Sequence, residues 1–286
     1  MLHKLLTLSA GIVLSAAAYA QKDTTTVNVQ VITENNNKKV IVDAEGNEYR
    51  KTVRRKNVTT NWGGGWDIGF SNFDNKTTYG TAEAEAMAPG SDDSWFDLKN
   101  GKSVNVNIWI FSQKVNLISH NVNLKYALGL ELNNYRFKNP IRFNDNEPYI
   151  RWDNTEGRSY TKNKLAADYL TFPLMLNFDF GREKYSRINY SAKKTKNKME
   201  LSAGKGKEWG FSAGISAGYL YNSRNKTITS DEGKLKLKDN FNLNPWKISY
   251  VAELNLGYIS LYGSYAVKSM FKDGLDITPY NVGIRF

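Results

Sequence analysis

The sequence predicts an all-β protein: an eight-stranded antiparallel transmembrane β-barrel, an up-and-down meander, with a short periplasmic N-terminal extension. Three observations predict it. Apolar residues recur at every second position in eight segments, which is the period of a β-strand. The first twenty residues have the pattern of a secretory signal. The chain ends on an alternating apolar segment whose last residue is Phe286, where most soluble domains have a polar, frayed end.

The signal segment reads MLHKLLTLSAGIVLSAAAYA, with Lys4 before an apolar run and small residues at Ala18 and Ala20. This pattern predicts cleavage after Ala20. The alternative, a membrane anchor, needs about 18 apolar residues, and this run is shorter. The predicted domains are therefore the signal at 1–20, a periplasmic extension at 21–61 that holds a hairpin and is partly disordered, and the barrel at 62–286. The predicted location is the outer membrane of a Gram-negative bacterium.

The period of two is clearest in residues 122–132. Even positions hold only apolar side chains, from Val122 to Leu132, whereas odd positions hold Asn, Lys, Ala, Gly and Glu. Similar alternation predicts eight strands in all, an even number. They are 66–73, 103–111, 122–132, 168–180, 209–221, 246–258, 259–267 and 280–286.

Two architectures place apolar residues on one strand face: a soluble sandwich with that face inward and a membrane barrel with that face outward. Several segments exceed the 9 to 11 residues that cross a bilayer obliquely. Their second face is rich in Gly, Ser and Ala, which suits the narrow interior of a small barrel. Aromatic residues such as Trp209, Tyr221 and Trp246 end the apolar stripes, as interface girdles do. These features favour the membrane barrel.

With both chain ends in the periplasm, eight strands place segments 74–101, 138–163, 222–244 and 268–278 outside the cell. Segments 112–121 and 181–207 and the turn near Gly257 then face the periplasm. Periplasmic turns are usually short. The length of 181–207 therefore indicates either a periplasmic insertion or a strand count that is off by one before it.

The segments YALGLELNNYRF and YLTFPLMLNFDF and the chain from DNFNLNPWKISY to TPYNVGIRF carry a family resemblance. They resemble the outer membrane protein beta-barrel domain family, the porin-like barrels of the PorT type in Gram-negative bacteria. The resemblance covers roughly residues 62–286 and is most specific in the last fifty. It implies the fold and the location. An accessory role in protein export rests on this resemblance alone.

The terminal strand is the predicted assembly signal, read by the barrel-assembly machinery. An outer-membrane barrel closes by pairing its last strand with its first, and a terminal aromatic residue in an alternating strand is the usual signal of that class. The residues are Tyr280, Val282, Ile284 and Phe286.

The strand faces predict a charged interior. An eight-stranded barrel is just wide enough to be filled by side chains. We expect mutually paired charges, because unpaired buried charges are costly. The alternative is a narrow ion path lined by the same groups. The predicted inward charges are Asp67, Lys125, Glu131, Asp168, Lys247, Glu253 and Arg285.

Segment 181–207 is strongly basic. Nine basic residues against Glu183 and Glu200 give 9 minus 2, or +7. One interpretation is attraction to anionic lipid or lipopolysaccharide at the membrane surface, and the other is a solvated loop kept soluble by its charges. The basic residues are Arg182, Lys184, Arg187, Lys193, Lys194, Lys196, Lys198, Lys205 and Lys207.

Composition argues against enzymes. The chain has no cysteine, which excludes disulfides, thiolate metal sites and cysteine nucleophiles. Of two histidines, His3 is lost with the signal and His120 falls in a predicted turn, so a hydroxyl nucleophile lacks an obvious base. We expect no catalytic, cofactor or metal residues. The net charge of +11 does not indicate nucleic acid, since no recognition motif accompanies it.

The function predicted from the sequence is structural or interaction-based, through loops and periplasmic segments. The expected partners are outer-membrane lipids, including lipopolysaccharide, and a periplasmic or surface protein. Narrow passage of ions or small solutes is the second hypothesis.

Overall fold

The structure is a computed structural model that describes residues 30–35, 38–42, 48–52, 57–118, 121–180, 188–190, 201–203, 209–257 and 259–285. The predicted signal, His120, Phe286 and the nine basic residues of 181–207 lie outside the described residues. None of the helices within the described ranges has the length and hydropathy of a membrane-spanning helix.

The chain divides into two compact units. The first comprises residues 1–55 and 183–206. Its described strands are β1 (Gln30–Asn35), β2 (Lys38–Val42) and β3 (Glu48–Thr52), which form an antiparallel sheet in that order, and the paired strands β10 (Ile188–Tyr190) and β11 (Leu201–Ala203).

The second unit, residues 56–182 and 207–286, is the barrel. Eight antiparallel strands pair in chain order, and the last pairs with the first, so the sheet closes. The predicted eight-stranded antiparallel β-barrel is therefore confirmed. The barrel strands are β4 (Val58–Asn75), β5 (Val104–Ile118), β6 (Val122–Arg136), β9 (Tyr160–Asp179), β12 (Trp209–Thr229), β14 (Trp246–Leu256), β15 (Ser260–Ala266) and β16 (Ile277–Arg285).

Each of the eight predicted segments falls on one of these strands, but several strands are longer than predicted. β9 begins at Tyr160 and β12 continues to Thr229, so both extend into segments predicted as loops. β4 begins at Val58 and includes the glycine run before Trp66, with a register shift between Trp62 and Gly65. These extensions lack an alternating apolar face, which is why their sequence did not indicate strands.

The two ends of the barrel differ. At the turn end, the connections from β5 to β6 and from β14 to β15 span only residues 119–121 and 257–259, and β4 and β16 start and finish there. The connection from β9 to β12, which contains the basic segment, also leaves and returns at this end. At the loop end, the connections are 76–103, 137–159, 230–245 and 267–276.

The four loop-end connections contain regular structure of their own. They hold the helix α1 (Ala82–Met87), two 3₁₀ turns (Asp93–Phe96 and Asn100–Lys102), the hairpin of β7 (Ile141–Phe143) with β8 (Ile150–Trp152), and β13 (Gly233–Leu237), which extends the sheet beside β12. We call these connections together the cap.

Candidate functional site: a barrel closed by a charged lumen and an apolar cap

The outer face of the barrel carries an exposed apolar belt, as the alternation predicted. On β12, Trp209 and Tyr219 mark its two edges, and both are about half exposed. Ten residues at about 3.3 Å each, tilted by about 40°, give about 25 Å along the barrel axis. That height equals the apolar band of outer-membrane barrels. Further belt residues are Trp66, Ile68, Phe70, Ile108, Ile110, Leu170, Phe172, Leu174, Leu176, Phe211, Ile215, Trp246, Ile248, Tyr250, Leu254, Leu261, Val282 and Ile284.

The lumen holds a charged network centred on Arg285. Its guanidinium forms a two-pronged ion pair with Asp67, with Nε–Oδ1 and Nη2–Oδ2 distances of 2.7 and 2.8 Å. It also donates to Glu253, which in turn accepts from Lys125. Asp67 is fully buried and accepts two further hydrogen bonds, from Asn107 at 3.1 Å and from Trp109 Nε1 at 3.0 Å. These contacts join β4, β5, β6, β14 and β16 across the lumen.

A second ion pair continues the network toward the loop end. Lys247 on β14 donates to Glu131 on β6, and both side chains are buried. Glu131 also accepts from Asn133 at 3.1 Å and from Asn281 at 3.0 Å. The Lys247 ammonium lies 5.3 Å from the centre of the Tyr169 ring. Both charges in this part of the lumen are therefore paired, and Glu131 has two further hydrogen bonds.

The network is neutral and nearly fills the lumen. It contains three bases, Lys125, Lys247 and Arg285, against three acids, Asp67, Glu131 and Glu253. A cavity of about 40 Å³ remains beside it, lined by residues that include Asn107, Trp109 and Thr171. That volume holds two or three water molecules. This cavity therefore has room for water but not for a larger solute.

Six of the seven charges predicted to face inward meet in this network, and Asp168 does not. On β9, Asp168 shares the outward face with Leu170 and is in register with outward Leu132 on β6. There it pairs with Arg224 of β12 at 2.6 Å. The strict alternation of β9 explains the difference, because even positions of this strand point outward.

The seam between the first and last strands depends on two glycines. A Cβ atom on Gly69 would lie 2.4 Å from Val282 O and 2.6 Å from the Tyr262 hydroxyl. One on Gly283 would lie 2.5 Å from the Cα of Gly69. The Tyr262 ring therefore packs directly on the backbone of the closing strand pair, where it also donates to Asn105.

The loop end is closed by an apolar core that the sequence analysis did not predict. All four cap connections contribute fully buried or nearly buried side chains, which pack with inward residues of the upper strands such as Tyr135 and Leu165. Phe143 lies between Phe137 and Phe241, with ring centres 5.7 and 5.5 Å apart. The cap contributes Met87, Ala88, Phe96, Leu98, Phe137, Ile141, Phe143, Ile150, Phe241, Leu243, Met270, Phe271 and Leu275.

Ion pairs fasten two cap connections to each other. Arg158 lies 2.9 Å from Asp153 in its own connection and 2.7 Å from Asp231 in the next. Burial alone would raise the pKa of Asp153, but hydrogen bonds from Thr155, Tyr160 and Arg158 outweigh burial and hold this pKa well below its usual range. Asp153 is therefore ionised at neutral pH, and its charge stabilises the cap.

On β6 and β9 the inward and outward faces exchange polarity at one level of the barrel, whereas the inward face of β12 remains polar above it, as at Asn225 and Thr227. On β6, Lys125, Glu131 and Asn133 face inward below this level, and Tyr135 faces inward above it. The outward face changes in the opposite sense, from leucines to Asn134 and Arg136. β9 changes likewise, with inward Thr171 followed toward the loop end by inward Tyr169, Ala167 and Leu165. We call this level the polarity boundary.

Comparison with known proteins adds no relative, since no protein-family model, no curated protein and no solved structure matches the chain.

Proposed function

We propose that this protein is an integral outer-membrane barrel that does not conduct, and that it acts as a membrane-anchored scaffold through its cap and its turn-end segments. The polarity boundary is the observation that carries the proposal. Below it the barrel is polar inside and apolar outside, as in lipid-embedded barrels. Above it the arrangement is that of a water-soluble domain, with apolar residues inside.

Lipid around the belt accounts for this exchange. In water, a belt of this area would be an aggregation liability, because soluble monomers rarely expose apolar patches above a few hundred Å². In a bilayer, lipid chains contact the same belt, so its apolar side chains are not exposed to water. The secretory signal predicted for residues 1–20 supports export from the cytoplasm, which an outer-membrane location requires.

The two closures support a scaffold over a pore. Ions moving along the axis would have to separate paired, buried charges, which is costly. They would then meet the apolar core of the cap, where an ion has no polar partner. Narrow passage, the second hypothesis, requires both closures to open.

Conductance in planar bilayers tests the closed state. We expect purified full-length protein to give no current steps above the bare bilayer. The matched comparison is a variant in which residues 141–152 are replaced by a short glycine-serine linker and Lys247 and Glu131 are both changed to Ala, which weakens both closures without leaving one charge unpaired. Steps from the unmodified protein would overturn the closed state and favour ion passage. Incorporation is checked in each preparation by flotation with the lipid.

A further inference from the structure

A sheet of basic side chains lies immediately above the apolar belt, on the outward face of the loop-end extension. β6, β9, β12 and β13 pair side by side there. The register sets Arg136 opposite Lys164, Lys164 opposite Lys226 and Lys226 opposite Lys236. Four cations thus form one row across four strands. Lys162 and Lys234 flank the row, each opposite Ile228. We call these six residues the basic face.

Such a row is unfavourable without a ligand. Directly opposite side chains have Cβ atoms about 5 Å apart, and like charges in this position destabilise a sheet. Among the described residues, none of the six forms an ion pair. The acid of this face, Asp168, is already engaged by Arg224.

The electrostatics of the lysines reflect this crowding. Burial and then the neighbouring charges of Lys162, Arg224 and Lys226 lower the pKa of Lys164 to about 8. Burial, Lys226, Arg136 and Lys234 lower the pKa of Lys162. Both lysines lie on the loop-end side of Leu170, outside the belt. The Nε atom of Arg136 is buried and has no hydrogen-bond partner among the described residues.

The height of the basic face matches an anionic lipid surface. Arg136 lies four residues beyond outward-facing Leu132, which places it about 10 Å above that leucine along the barrel axis. Lipid headgroups occupy the first 5 to 8 Å or so outside the hydrocarbon core. Phosphates attached to the sugars of a glycolipid therefore lie within reach of long Arg and Lys side chains.

We propose that the basic face binds the phosphate groups of an outer-leaflet glycolipid. This inference rests on the proposed function, because it requires the belt to lie in the bilayer. Bound phosphates would offset the repulsion along the Arg136 row and accept charge-assisted hydrogen bonds from its lysine ammonium groups. The lipid would hold the β9–β12 extension upright beside the membrane.

The test uses detergent-solubilised full-length protein titrated with lipid A, a bisphosphorylated glucosamine lipid, and with the same lipid after removal of its phosphates. We expect binding of lipid A only. The variant Lys164→Gln with Lys226→Gln should bind at least about tenfold more weakly and should have a higher Tm without lipid, since repulsion is relieved. Lys164→Arg with Lys226→Arg should keep the affinity.

The matched control is Lys268→Gln with Lys272→Gln, which removes the same charge from exposed loop-end positions and should leave lipid A binding unchanged. Equal loss in both Gln pairs, or equal binding of the dephosphorylated lipid, would overturn the inference. Inorganic phosphate that competes at concentrations equal to lipid A would point to a free anion and overturn the lipid assignment.

Quenching of tryptophan emission by bromine-labelled lipid chains in vesicles separates this inference from the proposed function. If emission is quenched but the variant Lys164→Gln with Lys226→Gln binds lipid A as the unmodified protein does, the proposed lipid A site is wrong and membrane insertion stands. Emission that is not quenched contradicts membrane insertion, and the inference fails with it.

Discussion

The lower and upper parts of β6 differ in which side chains face the interior. From Lys125 to Asn133 its inward residues are charged, polar or small, and those facing outward are apolar. Two residues later Tyr135 faces inward, and Arg136 faces outward. The lower segment closes the barrel with ion pairs, and the upper segment closes it with an apolar core. The comparison shows that the chemistry of the interior changes together with the chemistry of the outer face.

Each closure has its own weakness. The lumen network tolerates small gaps, because water and hydrogen bonds can fill them, but it does not tolerate an unpaired charge. The cap core contains no charge to pair, yet it depends on tight packing. Substitutions that exploit these differences test whether the two segments are as distinct as the structure indicates.

The largest effect is expected from Arg285→Met in the lumen. This change removes the guanidinium that Asp67 and Glu253 share, so that Glu253 keeps Lys125 but buried Asp67 loses its ion-pair partner. Breaking a buried ion pair in this way costs about 3–5 kcal/mol. Urea unfolding of the vesicle-bound protein, followed by tryptophan emission, measures the loss. The exposed pair Lys138–Asp97 provides the control, and Lys138→Met should cost under about 1 kcal/mol. Similar losses in both variants would contradict the network.

Phe143→Ala in the cap should cost about 3 kcal/mol, because it opens a cavity among Phe137, Phe241 and Ile150. The loss should be confined to the cap. Hydrogen exchange should rise in the loop-end connections and stay slow in the lower strands. Phe172→Ala is the matched control: this ring faces outward at the belt, lipid fills the space, and the cap should be unaffected. Faster exchange throughout the barrel after Phe143→Ala would show one cooperative unit instead of two.

Gly69→Ala should destabilise the closing seam by about 2 kcal/mol, since the new methyl group would overlap Val282 O and the Tyr262 hydroxyl. Gly263→Ala is the control in the neighbouring strand, where the nearest atom would lie 3.8 Å away. Heat-resistant migration in gel electrophoresis reports barrel closure. If Gly69→Ala and Gly263→Ala destabilise the barrel equally, the close packing of Gly69 against Val282 and Tyr262 is wrong.

The smallest effect concerns pH. The pKa of Asp153 lies below its unfolded value, so its charge stabilises the cap above about pH 4 and the contribution is lost as the pH falls further. Asp153→Asn should cost the cap about 1 kcal/mol at neutral pH and flatten its acid response. Proteolysis of the cap between pH 2 and 7 measures this, with exposed Asp145→Asn of the same connection as control. An unchanged acid response would show that the charge of Asp153 does not stabilise the cap.

Much of the lower segment follows from the sequence, because alternation is local. A period of two fixes which side chains share a face, and it identified all eight strands and six inward charges. It does not identify partners: Asp67 and Arg285 are 218 positions apart, and only closure of the sheet brings them together.

The cap was missed because its apolar residues occur in short connections. A signal was present, since three of the four connections contribute a doublet at positions i and i+2: Phe96 with Leu98, Ile141 with Phe143, and Phe241 with Leu243. Such doublets are too short to predict a strand or a helix.

The sequence analysis did not predict the row of basic residues either, because its members are far apart in the chain. Arg136, Lys164, Lys226 and Lys236 are scattered in sequence, whereas the predicted basic segment, 181–207, is contiguous and connects strands at the turn end.

The most direct test of the proposed membrane insertion is to determine which face of the barrel contacts lipid. Trp62, Trp66, Trp209 and Trp246 are exposed on the outside, whereas Trp95, Trp109 and Trp152 lie in the cap or lumen. The variant with the four outer tryptophans changed to Phe is compared with the unmodified protein in vesicles of lipids brominated along the chains. We predict strong quenching of the unmodified protein and little quenching of the variant. Equal quenching of the two would contradict a barrel that is apolar toward lipid and closed within.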